Sequence, residues 1–279
     1  MKVLLVGVGL IGGSFALALR DSEFEFGGTS RSYQTLDEAE KLGIITKKFE
    51  NLDDGLSWAD WIILSIPVDA IKKMLPGILD KIKDHQIVVD FGSTKSAICR
   101  SVENHLRRDQ FIAAHPIAGT EYSGPSAAFA GLYKGKRLIV CEEEKSRSID
   151  FKKFMDICRQ IGFEITKMGA EEHDRHLAYI SHLSHITSYA LSSTVLEKER
   201  NGEVILELSG SGFASTVRLA KSSPEMWSPI FIENKEMILE GIDSYVEKVS
   251  QLKALIMDEN EEGIKSFLDD AREIRRILE

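Results

Sequence analysis

Lys2-Val3-Leu4-Leu5-Val6-Gly7-Val8-Gly9-Leu10-Ile11-Gly12-Gly13-Ser14 decides the fold. A short apolar strand pattern over residues 2–6 runs straight into Gly7-x-Gly9-x-x-Gly12, and residues 12–20 continue with apolar side chains at helical spacing. A glycine pattern placed between a strand and a helix is a dinucleotide-binding fingerprint. The glycines permit a tight turn and close approach of the backbone, so that a cofactor pyrophosphate can rest on the helix N-terminus. Gly7, Gly9, Leu10, Ile11 and Gly12 are therefore candidate cofactor residues.

Outward from this turn, short apolar runs alternate with helical patterns. Strands are predicted near 2–6, 24–29, 61–66, 87–91, 110–114, 137–141 and 163–168. Helices are predicted over 12–20, 34–42, 69–83, 95–106 and 148–161, as in the spacing of Ile71, Leu75, Ile78, Leu79 and Ile82. The alternation predicts an α/β fold, a Rossmann-like doubly wound parallel sheet. From about residue 170 the strand signal stops, and long helical patterns surround Gly210-Ser211-Gly212. This divides the chain into a dinucleotide-binding domain, 1–169, and a C-terminal all-helical domain, 170–279. In the latter, Ile238, Ile242, Tyr245, Val249, Leu252 and Ile256 follow the spacing of a helix-packing seam, which fits either an internal core stripe or a dimer interface.

Composition narrows the function classes. With 279 residues, 43% hydrophobic, 28% charged and six prolines, the chain is long and apolar enough for two packed domains and unlike a disordered one. Forty-four acids against thirty-five bases leave a net charge of −9, so neither a nucleic-acid backbone nor an anionic membrane is an expected partner. An anionic substrate would need local cations. Cys99, Cys141 and Cys158 form no Cys-x-x-Cys pair and read as reduced thiols of a cytoplasmic protein. Glycines 7, 9, 12 and 13 break the first apolar run, which argues against a secretory signal, and no run reaches the ~18 apolar residues of a membrane span.

Dinucleotide sites for NAD usually carry an acid at the end of the second strand to accept from the ribose 2′-hydroxyl. Here that place reads Ser30-Arg31-Ser32, a cation and two hydroxyls that suit a 2′-phosphate, so NADP is favoured over NAD. Open sheets place ligands at the carboxyl ends of their strands. Three further ends face the same crevice: Ile66-Pro67, Gly92-Ser93-Thr94-Lys95 and His115-Pro116. Pro116 biases His115 toward extended geometry. Ile66, Pro67 and Ser93 join the cofactor candidates, and His115 with Ser93 the catalytic ones. His173-x-x-His176 and His182-x-x-His185 lie on predicted helix, but no metal is expected. His173 and His176 sit in a charged stretch that reads as a solvated face, whereas His182 and His185 occupy a half-apolar one.

Together, Gly7 to Ser14, Asp90-Phe91-Gly92-Ser93-Thr94-Lys95, His115-Pro116-Ile117-Ala118-Gly119-Thr120-Glu121, Ser181-His182-Leu183-Ser184-His185 and Gly212-Phe213 through Arg218 to Pro224-Glu225-Met226-Trp227 resemble the prephenate and arogenate dehydrogenase family. The motifs fall in the family's order over nearly the whole chain, and the resemblance is to monofunctional members without a mutase module. It implies oxidative decarboxylation of prephenate to 4-hydroxyphenylpyruvate, or of arogenate to tyrosine, with hydride transfer to NAD or NADP. It implies that His115 is the catalytic base, that Ser93 binds the same hydroxyl, and that Arg218 grips the ring carboxylate. His185 matches the family's second histidine, associated with prephenate; Ser181, Thr120 and Glu121 would line the pocket, and Trp227 would serve packing. The helical domain is expected to bind substrate and form a homodimer. The sequence departs from the family pattern at Ser184, in Ala214-Ser215-Thr216-Val217 before Arg218, and in Ser30-Arg31. Another enzyme of similar architecture, oxidising a β-hydroxy acid or reducing an imine, would carry a catalytic lysine on the helical domain, and a cofactor-binding redox sensor of a different class would lack His115 or Arg218.

Overall fold

The computed structural model describes residues 1–201 and 204–278; Gly202, Glu203 and Glu279, all within the expected helical domain, lie outside the described residues. Eight strands form one sheet: β1 (Lys2–Val6), β2 (Glu25–Thr29), β3 (Lys47–Phe49), β4 (Trp61–Leu64), β5 (Ile87–Asp90), β6 (Phe111–Ile117), β7 (Arg137–Cys141) and β8 (Glu164–Met168), in the order β3-β2-β1-β4-β5-β6-β7-β8. The helices among them are α1 (Leu10–Ala18), α2 (Tyr33–Lys41), α3 (Leu52–Trp58), α4 (Val68–Lys81), α5 (Ser96–Ser101) and α6 (Ser148–Ile161).

Successive side chains of a strand point to opposite faces, and the sheet buries both. Val3, Leu5, Trp61, Ile63 and Val89 join one core with Phe15, Phe91 and Phe154, while Leu4, Ile62, Leu64 and Val88 join the other with Ile71, Leu75 and Phe111. α4 buries the predicted stripe Ile71, Leu75, Ile78 and Leu79. β1 pairs in parallel with both β2 and β4, so chain order reverses there and a crevice opens at their carboxyl ends.

The sheet departs from the predicted arrangement in two ways. β3 and α3 lie in a stretch with no predicted element, because a strand of Lys47-Lys48-Phe49 and a helix of seven residues are too short to display a period. β7 runs antiparallel to β6. Residues 118–136 supply only a short 3₁₀ turn, Pro125–Ala127, in place of the crossover helix that a parallel neighbour requires. α5 is also shorter than the predicted 95–106, ending at Ser101.

From Ala170 every regular element is helical: α7 (Ala170–Leu177), α8 (Leu183–Arg200), α9 (Ser211–Thr216), α10 (Pro224–Glu233), α11 (Lys235–Met257), α12 (Glu261–Arg272) and α13 (Arg275–Leu278). One turn of π geometry, Ala178–His182, connects α7 to α8. None of the described helices is long and apolar enough to cross a membrane. Packing divides the chain into two compact units, Met1–Asn234 and Lys235–Glu279. In the second, the seam positions Tyr245, Val249 and Ile256 of α11 are 44%, 48% and 58% exposed, so the stripe is not a closed internal core.

β5 ends on a fully buried ion pair. Lys95 Nζ donates to Asp90 Oδ2 and, at 2.8 Å, to the carbonyl of Ala114; Gly92 N–H donates to Asp90 Oδ2 at 2.9 Å. Burial pushes the Asp90 carboxyl above its ordinary value, against the pull of the Lys95 ammonium and the Gly92 N–H. Breaking such a pair leaves a buried charge uncompensated. Lys95→Met is expected to cost ~3–5 kcal/mol in urea unfolding. A loss below ~1 kcal/mol, the worth of an exposed pair, would remove the pair from the stability argument.

Candidate active site

Gly7 adopts φ +96°, and a Cβ there would lie 2.6 Å from the Ser65 carbonyl oxygen; one on Gly12 would lie 2.3 Å from Ser65 Oγ and 2.5 Å from the Gly7 carbonyl oxygen. Only glycine fits either place. The turn is held by Gly7 N–H donating to Thr29 O at 3.0 Å and by Ser65 Oγ–H donating to Gly7 O at 2.7 Å. Gly9 differs: a Cβ there would meet nothing nearer than the Gly124 nitrogen at 4.0 Å. The space above Gly9 is open, and Gly9 caps α1 with no side chain over the helix's first N–H groups. Open space over an uncapped helix start fits a dinucleotide pyrophosphate, and Leu10 and Ile11 form the first turn of that helix.

Beyond β2, Ser30 Oγ accepts from Ser32 N–H at 3.3 Å, Ser32 Oγ caps α2 by accepting from Thr35 N–H at 3.4 Å, and Arg31 is exposed. Ile66 and Pro67 follow β4; the Ile66 side chain lies against Gly7, and Pro67 caps α4.

β5 and β6 are neighbours, with Asp90 opposite Ala113, so Ser93, beyond β5, and His115 come to the same edge of the sheet; β6 runs on to Ile117, so His115 lies within the strand, opposite Ile139 of β7, and not beyond an end at residue 114 as expected. Ser93 is half-buried in the turn made by the Gly92 N–H bond to Asp90. His115 opens a line of polar contacts. Its Nδ1 lies 2.8 Å from His173 Nε2, and His173 Nδ1 lies 2.7 Å from Asp174 Oδ1. The Asp174 carboxylate also accepts the N–H groups of Lys95 and Ser96, each at 2.8 Å. Asn234 Nδ2 donates to the Asp174 carbonyl at 2.8 Å and lies 3.1 Å from His182 Nδ1.

Burial sets the charge states. It pushes His115 well below the ordinary histidine value, helped by the positive charges that His173, Lys95 and His182 would place nearby. Burial likewise lowers His173 despite its bond to Asp174, and brings His182 down to about 4. Burial alone would raise Asp174, but the bond and charge of His173 and the two backbone N–H groups outweigh it and hold the carboxyl below its ordinary range. The surroundings thus favour the neutral form of each imidazole and the ionised form of Asp174.

His173 corrects the expectation of a solvated face. It is 0% exposed, and Ala170, His173, Asp174 and Leu177 form the buried stripe of α7. The signal was present in the sequence: these positions step by 3, 1 and 3, the spacing of a core-facing helix stripe, with a His-Asp pair where apolar residues are usual. Glu171, Glu172 and Arg175 between them masked it.

On the helical side, His185 Nδ1–H donates to the Ser181 carbonyl at 3.0 Å, and its ring stacks on Trp227 with centroids 3.5 Å apart. Burial lowers His185, the Ser181 carbonyl opposes, and the positive charge of Arg218 presses downward again. Trp227 is 6% exposed and packs edge-on to His182 as well, as expected of a packing residue that also seats the second histidine. Arg218 is exposed and pairs with no carboxylate among the described residues. Thr120 is exposed and accepts from Tyr122 N–H at 3.3 Å. No hydrogen bond among the described residues joins Thr120 or Glu121 to His115, His185 or Arg218.

Comparison with known proteins agrees with this geometry. The family model described as prephenate dehydrogenase, nucleotide-binding domain, matches residues 15–167, and that described as prephenate dehydrogenase, dimerization domain, matches residues 169–270. A prephenate dehydrogenase of Lactococcus lactis is 29% identical over 100% of this chain and 77% of its own length. The crystal structure of the Aquifex aeolicus prephenate dehydrogenase, in complex with hydroxyphenyl propionate and NAD+, superposes with a TM-score of 0.91 at 31% identity, covering 100% of this chain and 98% of that one. The Synechocystis arogenate dehydrogenase superposes with a TM-score of 0.80 at 26% identity, covering 100% of both. With both of its halves matched by the family's models, and with a glycine turn, a sheet histidine and a helical histidine pair in one frame, this chain belongs to the prephenate dehydrogenase family.

Proposed function

We propose that this chain oxidises and decarboxylates prephenate to 4-hydroxyphenylpyruvate, a step of tyrosine biosynthesis. The observation that carries the reading is a half-buried His115, whose surroundings favour the neutral ring, at the sheet edge that also bears the open glycine turn. Residues 1–169 hold the dinucleotide through Gly7, Gly9, Leu10, Ile11, Gly12, Ile66, Pro67 and Ser93, and residues 170–279 hold substrate and pair two copies of the chain. The exposed stripe of α11 supports the homodimer. Three buried free thiols suit a reducing, cytoplasmic setting.

NAD(P), when bound, supplies the hydride acceptor. His115 takes the proton of the ring hydroxyl as the carbinol carbon gives up hydride. Ser93, from the neighbouring strand end, bonds the same hydroxyl and orients it. Loss of carbon dioxide then sends an electron pair into the ring, and the ring oxygen takes back the proton that His115 held. The reaction therefore releases no net proton. Arg218 offers a planar fork of donors to the ring carboxylate. It serves to position, because a carboxylate about to leave as a neutral molecule must not be held more tightly in the transition state than before it.

Prephenate is the substrate we propose over arogenate. The positive field of Arg218 that bears on His185 suits a keto acid and repels the ammonium of arogenate. Ser181, Thr120 and Glu121 complete the pocket wall. Ser30, Arg31 and Ser32 support NADP as the preferred dinucleotide, since no carboxylate stands there to bond a free 2′-hydroxyl.

His115→Asn is expected to lower kcat by ~10²–10⁴ with cofactor affinity retained. Unchanged turnover would dismiss His115 as the base. Because burial favours the neutral ring, the acidic limb of kcat/KM is expected below pH 6.5, the ordinary histidine value; a limb above it would contradict a base held neutral by burial. Arg218→Ala should chiefly raise KM for prephenate and narrow its advantage over arogenate, and an unaltered KM would remove Arg218 from the carboxylate. Wild type should show the higher kcat/KM with NADP. Arg31→Ala should cut that preference at least several-fold, an effect of about 1–2 kcal/mol for one charge-assisted contact; equal loss with NAD would point to a general defect.

A further inference from the structure

The line His115–His173–Asp174 permits one arrangement of protons. Backbone N–H groups only donate, and the two that reach Asp174, from Lys95 and Ser96 at 2.8 Å, fall one on each oxygen; with His173 they hold the carboxyl below its ordinary range, so Asp174 accepts as a carboxylate. His173 Nδ1, 2.7 Å from Oδ1, must then carry a hydrogen. A neutral imidazole has a single N–H, so His173 Nε2 is a bare lone pair. His115 Nδ1 lies 2.8 Å from it, and two ring nitrogens at that distance share one proton, which only His115 can supply. His115 Nε2 is left unprotonated.

Resting on the proposed reaction, we infer that His173 and Asp174 are positioning residues that lock His115 in the Nδ1–H tautomer, presenting Nε2 as the base toward the substrate hydroxyl. When Nε2 accepts that proton, the O–H bond breaks, an N–H bond forms, and the Nδ1–H bond to His173 strengthens against the carboxylate behind it. The same proton returns to the ring oxygen as the carboxylate carbon departs, so nothing leaves through the line. The line holds one ring orientation through both transfers.

The groups that bear on these rings come from four elements. His115 of β6 faces His173 of α7, Lys95 beyond β5 and His182 of the π turn. His173 faces Asp174, Lys95 and Asp90. Lys95 disfavours a cation on either ring and Asp174 favours one, so a neutral resting state is balanced by a carboxylate that helps the transient imidazolium. Burial lowers both histidines in the resting enzyme, consistent with this assignment. Asn234, bonded to the Asp174 carbonyl and within 3.1 Å of His182, holds the segment in place.

Two measurements test the inference. Two-bond proton–nitrogen NMR on the full-length enzyme labelled with ¹⁵N-histidine reads the tautomer with no substitution in the line, the His115 signal being assigned by its loss in His115→Asn. A protonated Nδ1 and bare Nε2 are expected, and the reverse would overturn the inference. In kinetics, His173→Leu should lower kcat by ~10²-fold or more at a nearly unchanged KM, since loss of tautomer control in a hydrolase triad costs up to about 10⁴. His173→Gln, whose amide oxygen can accept from His115 Nδ1–H, should recover a substantial part. Full activity in His173→Leu, or no difference between the two folded variants, would reduce His173 to a structural role and overturn the inference. The readings separate cleanly: an Nδ1–H tautomer in an enzyme that turns over neither prephenate nor arogenate upholds the proton arrangement and fails the proposed reaction.

Discussion

The carboxylate of Asp174, held by the backbone N–H groups of Lys95 and Ser96 at the start of α5, is the constraint on which the site depends. It joins the helical part of the chain to the edge of the sheet through two backbone N–H donors, one on each oxygen. It also starts the line of imidazoles that ends on His115. Burying a carboxylate is costly unless its lone pairs are satisfied, and here they are satisfied by donors that cannot move independently of the sheet. The Lys95–Asp90 pair supports this arrangement from beneath. It fixes the loop that offers those donors and, through the Ala114 carbonyl, the backbone just before His115.

The site is thereby assembled from parts with different burial. The glycine turn and the strand ends of β4, β5 and β6 are continuous with a sheet buried on both faces, and they place His115 and Ser93 on rigid supports. Arg218 stands on an exposed 3₁₀ turn, Arg218–Lys221, and Thr120 on an exposed segment beyond β6. On the proposed roles, the base would stand on a buried support and the carboxylate clamp at the surface. The division follows from burial alone.

Much of this was legible in the sequence. β1, β4 and β5 are apolar on both faces and stand out against their turns, and the glycine pattern by itself points to the crevice. His115 is conspicuous from its place at a strand end beside a proline. What escaped reading was short or overlooked: β3 has two lysines in three residues, and the antiparallel direction of β7 follows from a connection over which no helix is predicted, a sign the parallel reading passed over. His173 and Asp174 escaped because the eye follows the charges on either side of them. Their stripe is regular, but its chemistry is polar, and a polar stripe declares itself only when burial is known. Lys95 belongs to a legible motif, yet nothing in its neighbours announces that an ammonium group lies wholly inside.

The single π turn at Ala178–His182 has a consequence for how this region tolerates change in length. His173 and His182 are nine residues apart, about two and a half turns of regular α-helix, which would set them on opposite sides. The wider turn absorbs one residue, cutting the separation to about two and a quarter turns and swinging His182 round toward the side that His173 occupies. Deleting one residue there would leave a regular helix with the two histidines eight residues apart, again about two and a quarter turns, so the later side chains of α8 would keep their phase. Local irregularity acts here as a spacer, setting the phase between two histidines that the regular helix would keep apart.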